Sequence, residues 1–198
     1  LYGVTGSGKT AVYIRLISEV LEQNKTALVL VPEIALTPQM VSIFTAHFGD
    51  KVAVLHSSLS MGERYDEWKR IYEKKVDVVV GTRSAVFAPL SNLGIIIVDE
   101  EQEYTYKSEH SPRYHAVDIA KYRCAKNRCL LLLGSATPSI ESMYNAQIGR
   151  YHLFKLENRY NQRELPYVLM ADMKKELRRG NGGSISSVLY SELKKNLD

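Results

Sequence analysis

Eight residues near the start of the chain have the spacing of a phosphate-binding loop. The stretch GVTGSGKT, residues 3–10, follows the pattern G-x-x-x-x-G-K-[ST]. Glycines at these positions let consecutive backbone N–H groups turn inward around an anion, and the following helix presents its positive N-terminus to it. The spacing predicts that Lys9 reaches the β- and γ-phosphates of a nucleotide such as ATP and that Thr10 holds Mg²⁺. The expected nucleotide contacts are Gly3, Thr5, Gly6, Ser7, Gly8, Lys9 and Thr10.

A cluster of acids, DEEQ at residues 99–102, directly follows the apolar run GIIIV. A carboxylate just beyond a buried strand is costly unless it is paired or faces a cation, and the phosphate loop would supply Mg²⁺. We therefore expect Asp99 to bind the metal, directly or through water, and Glu100 to orient and deprotonate an attacking water. Read alone, the same acids could form a solvated charged loop.

A third segment, Gly134-Ser135-Ala136-Thr137, follows the apolar run CLLLLG. Small hydroxyl residues at the end of a strand, before Pro and Ser, also make a sound helix cap. The segment gains a functional interpretation only in company with the phosphate loop and the acids.

The pattern of apolar residues predicts the framework that positions these segments. Five short apolar runs alternate with helical patterns, which is typical of an α/β fold with a parallel sheet covered by helices on both faces. The runs span residues 27–32, 51–56, 76–81, 94–100 and 129–134. One predicted helix directly follows the phosphate loop, and four more span residues 37–48, 62–72, 116–126 and 139–148. Ligands bind such sheets at the carboxyl ends of the strands, where all three segments lie.

The sequence changes character after Gly149. Residues 151–160 and 165–173 suggest extended segments, followed by a basic run, the flexible GNGGS and a final helix over 185–197. We expect residues 1–157 to form the nucleotide-binding lobe and 158–198 a linker with the start of a second lobe. Only Leu1 and Tyr2 precede the loop, so we expect the chain to begin inside a larger protein.

The composition limits the class of protein. The chain has 198 residues, 45% of them hydrophobic and 24% charged, as in an ordinary globular domain without a membrane partner. Its two cysteines form no CxxC pair, which argues against zinc in this segment and for a reducing cytoplasm. The net charge of +4 leaves nucleic acid open as a partner without arguing for it.

Together, GSGKT, DEEQ and GSAT resemble the first RecA-like lobe of a superfamily-two helicase, a P-loop NTPase fold. The further segments VPEIALTPQ, LHSSLS, GTRSAVFAPL, RYHAVDIA and GSATPSIES resemble the PriA family of bacterial primosomal helicases over nearly the whole chain. The resemblance implies that Ser135 and Thr137 couple the nucleotide to DNA and that Thr82 and Arg83 lie along the DNA path. The family usually has His where this chain has Gln102, which we expect to act near the γ-phosphate.

The resemblance also implies an activity and partners. It implies an ATP- and Mg²⁺-dependent DNA helicase that moves 3′ to 5′ on single-stranded DNA, unwinds stalled replication forks and loads the primosome. The implied partners are single-stranded and forked DNA, primosome proteins and single-strand-binding proteins, in the bacterial cytoplasm at the nucleoid. Zinc is implied only downstream of this segment.

The stretch from Glu103 to His115 mixes aromatic and basic side chains. Aromatic rings stack on unpaired bases and neighbouring cations hold phosphates, so the composition suits single-stranded DNA. The candidate contacts are Tyr104, Tyr106, Lys107 and Arg113. The alternative is that the tyrosines only pack the loop against the sheet.

Two other functions fit the same motifs. One is a superfamily-two motor that acts on RNA or duplex DNA. The other is a nucleotide-responsive assembly module that docks replication proteins, with hydrolysis incidental.

Overall fold

The computed structural model describes residues 1–158 and 167–197. The described residues fall into two compact units, one on each side of residues 159–166. The predicted lobe boundary between 158 and 172 lies partly outside the described residues, and the assignment of 158–198 to a linker and second lobe stays a prediction. In the described ranges, no helix is long and apolar enough to cross a membrane.

The first unit is built on a five-stranded parallel sheet, as the apolar runs predict. The strands among the described residues are β1 (Tyr2–Gly3), β2 (Thr26–Leu30), β3 (Val52–Leu55), β4 (Val78–Gly81), β5 (Leu93–Val98), β6 (Leu130–Leu133) and β7 (Lys155–Leu156). The five-stranded sheet has the order β3-β4-β2-β5-β6, and every pairing in it is parallel. The short strands β1 and β7 pair with each other.

The register brings the carboxyl ends of the strands to one edge. Leu30 at the end of β2 pairs with Gly81 of β4 and with Val98 of β5, which in turn pairs with Leu133. The residues that follow these ends therefore meet at the same edge of the sheet. These residues lie in the VPEIALTPQ, GTRSA, DEEQ and GSAT segments.

Helices cover both faces of the sheet. They are α1 (Lys9–Glu22), α2 (Pro38–Phe48), α3 (Met61–Tyr72), α4 (Ala116–Asn127) and α5 (Ile140–Gln147), with α6 (Met173–Arg178) and α7 (Ser187–Leu197) in the second unit. Local sequence explains the starts of several: Thr37 caps α2 before Pro38, and Ser60 forms a capping box with Glu63 at α3. The predicted α/β fold is confirmed.

Two hydrophobic clusters lie on opposite faces of the sheet, because successive strand residues point to opposite sides. One contains Leu28, Ile96 and Val98 and packs against α4; the other contains Val29, Ile95 and Ile97 and packs against α1 and α2. Both faces of the central strands are thus buried, which is why these strands are continuously apolar.

After Gly149 the structure departs most from the elements predicted from the sequence. Within the predicted extended segment 151–160, only Lys155–Leu156 forms a strand among the described residues. The segment predicted at 165–173 is not a strand where it is described, and its last residue, Met173, begins helix α6. Asp172 caps that helix by accepting hydrogen bonds from the backbone N–H groups of Lys174 and Lys175. The basic run is therefore helical.

Candidate nucleotide site

The phosphate loop turns through two glycines with left-handed backbones. Gly6 has φ = 78° and Gly8, which caps α1, has φ = 93°, conformations that residues with a Cβ rarely adopt. Gly3 serves packing instead, because a Cβ there would lie 2.5 Å from Ser7 Oγ. Lys9 Nζ donates to the carbonyl of Gly3 at 2.9 Å and so closes the loop on itself.

The loop has the donor set of an anion site. The Ser7 hydroxyl is buried and has no hydrogen-bond partner among the described residues, and Lys9 is only 9% exposed. Both lie at the N-terminal end of a 14-residue helix, where the helix dipole favours an anion. The residues present therefore fit a phosphate chain, and the oxygen ligands that Thr10 and Asp99 offer are of the kind that Mg²⁺ prefers.

Asp99 lies at the end of β5 with its main chain fixed on both sides. Its N–H donates to the carbonyl of Leu30, and its carbonyl accepts a 2.6 Å hydrogen bond from the hydroxyl of Tyr106. Its carboxylate accepts a 2.7 Å hydrogen bond from the hydroxyl of Tyr13 on α1. Burial raises the pKa of Asp99 above its ordinary value, and the hydrogen bond from Tyr13 opposes that rise.

Glu100 adopts a left-handed backbone conformation with φ = 45°. For a residue other than glycine this costs on the order of 1–3 kcal/mol, and such strain concentrates at functional sites. Its carboxylate oxygen Oε1 lies 3.4 Å from Lys9 Nζ. The Nε2 group of Gln102 donates to the other oxygen, Oε2, at 3.0 Å.

The GSAT segment and Ser139 just after it are tied to the DEEQ segment by several hydrogen bonds. Ser135 Oγ donates to Gln102 Oε1 at 2.6 Å, and Ser139 donates to Glu101 through its backbone N–H at 2.7 Å and its hydroxyl at 3.2 Å. The N–H of Thr137 donates to Ser135 Oγ at 2.8 Å. A chain of polar contacts therefore runs from Lys9 through Glu100 and Gln102 to Ser135.

The sequence model of the DEAD/DEAH box helicase family matches residues 1–146, about three quarters of the chain. The chain belongs to this helicase family.

Relatives and solved structures agree with the family. The replication restart protein PriA of Bacillus subtilis is 53% identical over 197 residues, and PriA of Synechocystis is 46% identical over 198. These matches cover 100% and 98% of the chain but 24% of each relative, so the chain spans about a quarter of their length. The resemblance to PriA is thus confirmed.

Two helicase structures share the fold. The Hef helicase domain of Pyrococcus furiosus matches with a TM-score of 0.59 at 21% identity, covering 81% of this chain and 35% of its own. RecG bound to a three-way DNA junction matches with a TM-score of 0.56 at 24% identity, covering 79% of this chain and 20% of its own. The fold is therefore that of a RecA-like helicase lobe.

The other residues predicted to contact DNA differ in their exposure to solvent. Tyr104 is 78% exposed, and Lys107, Arg113 and Thr137 are exposed. Tyr106 is 1% exposed, which leaves no face free for a base. The prediction that Tyr106 stacks on DNA is therefore corrected: its ring packs in the core and its hydroxyl holds Asp99.

Arg83 also has a role that the sequence did not indicate. Its guanidinium donates to the carbonyls of Thr105 at 3.1 Å and Lys107 at 2.6 Å, and it lies 6.0 Å from the centre of the Tyr114 ring. Thr82 is buried. In this structure Arg83 supports the loop after the acids, and the contact of Thr82 and Arg83 with DNA stays a prediction.

Three residues that make side-chain contacts in the structure have no role predicted from the sequence: Tyr13, Glu101 and Arg123. Arg123 on α4 donates to the carbonyls of Val86 at 2.5 Å and Ala88 at 3.0 Å, which fixes the turn after Arg83. A tyrosine one helical turn after Lys9 was the one available signal, because its hydroxyl needs a partner when buried.

Proposed function

We propose that this chain is the ATP-binding lobe of a DNA helicase that acts in replication restart. The observation that carries the proposal is the continuous contact from Lys9 through Glu100 and Gln102 to Ser135. It connects the phosphate loop with the segment that, by resemblance, senses DNA. The 46–53% identity to PriA proteins supports replication restart as the context.

In the proposed reaction each residue has a separate task. Mg²⁺, when bound with ATP, neutralises charge on the phosphates. Lys9 and the loop N–H groups hold the phosphates, while Thr10 and Asp99 hold the metal. Because Lys9 pairs with Glu100 in this structure, phosphates that attract Lys9 would release the Glu100 carboxylate. Glu100 then accepts a proton from the attacking water, and Gln102 keeps its carboxylate in place.

The whole protein would couple this cycle to 3′ to 5′ movement on single-stranded DNA and to unwinding at forks. Its proposed partners are forked DNA, primosome proteins and single-strand-binding proteins, in the cytoplasm. In this arrangement residues 158–198 link the lobe to a second one. These statements rest on the likeness to PriA.

A pair of variants tests the proposal in the whole protein. Lys9→Ala removes the charge that meets the phosphates, so we expect ATPase activity to fall about a hundredfold or more. Glu100→Gln should retain ATP binding but lose hydrolysis and unwinding, while Glu22→Gln, at an exposed position at the end of α1, serves as the control. ATPase within about threefold of the parent after Lys9→Ala would refute the proposal.

The Glu100→Gln variant also separates a motor from an assembly module. A motor loses fork unwinding when hydrolysis stops. An assembly module would keep full function in docking replication proteins and in restart, because hydrolysis would be incidental to it. Restart activity equal to that of the parent would favour the assembly module.

A further inference from the structure

The hydroxyl of Tyr13 lies where three segments of the site meet. Tyr13 is on α1, one helical turn after Lys9, and its side chain is completely buried. Its hydroxyl donates to Asp99 Oδ1 at 2.7 Å. The proposed reaction uses Asp99 as a metal ligand but assigns nothing to Tyr13.

Gly134, the first residue of GSAT, leaves the space that this hydroxyl occupies. A Cβ at position 134 would overlap the Tyr13 hydroxyl, lie 3.0 Å from Tyr13 Cζ and lie 3.4 Å from Asp99 Oδ1. The backbone of Gly134 is fixed, because its N–H donates to Val98 and its carbonyl accepts from Glu101. Any side chain at this position would therefore push the hydroxyl of Tyr13 away from Asp99.

The contact acts on the carboxylate and not on the backbone. Leu30 and Tyr106 already hold the N–H and carbonyl of Asp99. Rotation of the carboxylate about its own bonds is restrained separately, by the hydrogen bond from Tyr13 to Oδ1. The hydrogen bond engages one of the two carboxylate oxygens, and such contacts orient metal-binding carboxylates in other proteins.

We propose that Tyr13 is a positioning residue whose hydroxyl, in the space left by Gly134, holds the Asp99 carboxylate in the orientation that binds magnesium nucleotide. The inference rests on the proposed nucleotide function of this site. It adds that α1 contributes to metal affinity as well as to phosphate binding, and that Tyr13 on α1 requires a glycine at position 134 of the GSAT segment.

The test measures binding, so that hydrolysis does not enter. In the whole protein, Tyr13→Phe removes the hydroxyl and keeps the ring. A fluorescent, non-hydrolysable ATP analogue is titrated at increasing free Mg²⁺ and again in EDTA. We expect the Mg²⁺ concentration for half-maximal binding to rise about tenfold or more, the usual effect of losing a contact that orients a metal ligand. Binding in EDTA should stay within about twofold of the parent, because Tyr13 does not touch the phosphate loop contacts of Lys9.

Two further variants distinguish positioning from packing. Tyr122→Phe removes a hydroxyl from an exposed tyrosine on α4 and should change neither measurement. Gly134→Ala should raise the Mg²⁺ requirement as Tyr13→Phe does, but it should add less in the Tyr13→Phe background, where no hydroxyl remains to be displaced.

The possible results separate the two proposals. A parent protein that binds no nucleotide refutes the proposed function and this inference with it. A parent that binds nucleotide, with an unchanged Mg²⁺ requirement in Tyr13→Phe, refutes the inference alone. Equal losses in Mg²⁺ and in EDTA would make Tyr13 a packing residue, which also overturns it.

Discussion

Ser135 donates a 2.6 Å hydrogen bond to Gln102, whose amide nitrogen in turn donates to Glu100. Gln102 thus uses both ends of its amide, the oxygen toward GSAT and the nitrogen toward the residue expected to activate water. An amide suits this position because it is donor and acceptor at once without carrying charge. The glutamine that departs from the usual family pattern therefore has a defined place in the site.

This bridge predicts a selective effect of Gln102→Ala in the whole protein. The change removes both hydrogen bonds, so stimulation of ATPase by single-stranded DNA should fall about tenfold, the equivalent of one hydrogen bond to a charged group. Gln102→His, which also has a donor and an acceptor, should keep most of the stimulation. ATPase rates with and without DNA measure both, and Gln147→Ala at an exposed position is the control. Normal stimulation in Gln102→Ala would mean that coupling bypasses this bridge.

The two tyrosines after the acids should respond differently to substitution. Tyr104 is exposed, and stacking on a base contributes about 1–3 kcal/mol, so Tyr104→Ala should weaken binding of single-stranded DNA about tenfold. Tyr104→Phe keeps a ring and should bind nearly as the parent does. Tyr106→Phe should lower thermal stability, because it leaves the buried carbonyl of Asp99 without its donor, and should leave DNA affinity unchanged. Fluorescence anisotropy with labelled oligonucleotides and thermal unfolding measure the two effects. Unaltered DNA binding in Tyr104→Ala would assign the exposed ring no role in binding.

Arg83 should act on DNA binding indirectly, through the loop that it holds. Its two hydrogen bonds to the carbonyls of Thr105 and Lys107 are lost in Arg83→Met, which keeps a long apolar side chain. We expect amide hydrogen exchange in residues 104–108 to accelerate about tenfold, as the loss of about 1.4 kcal/mol in local stability requires. Arg113→Met, at an exposed position, should not change exchange in this segment. Exchange that stays slow in Arg83→Met would mean that Arg83 is free to serve as a DNA contact.

The sequence predicted the framework better than it predicted the contacts. Alternation of apolar runs with helical patterns placed β2 to β6 within a residue or two, because these strands are buried on both faces and their apolar character is continuous. The positions of the motifs, each directly after an apolar run, also predicted that the expected segments lie at one edge of the sheet. Parallel pairing makes this outcome general, since all strands end on the same side.

The contacts between segments could not be predicted, because they depend on side chains far apart in the chain. Nothing in the sequence distinguishes the exposed Tyr104 from the buried Tyr106, two residues later, since both lie in one short helical turn. The partnership of Tyr13 with Asp99 joins residues 86 positions apart. The helical nature of 173–178 was hidden because its basic residues are exposed and give no apolar stripe.

The 198-residue chain by itself should bind magnesium nucleotide but hydrolyse very little of it, with or without DNA. Among the described residues, Lys9 is the cation that forms an ion pair with the acids of the site. Charge that develops during phosphoryl transfer is normally met by an arginine as well, worth about 10³ to 10⁵ in rate. Arg178 and Arg179 are exposed residues of the second unit, and Arg163 lies outside the described residues. By resemblance to two-lobed helicases, the arginine would come from a facing lobe. Titration calorimetry with a non-hydrolysable nucleotide and a phosphate-release assay with ATP measure binding and turnover on the same preparation. DNA-stimulated turnover of roughly 1 per second or faster, typical of a complete enzyme, would mean that this chain supplies its own arginine and that one lobe suffices.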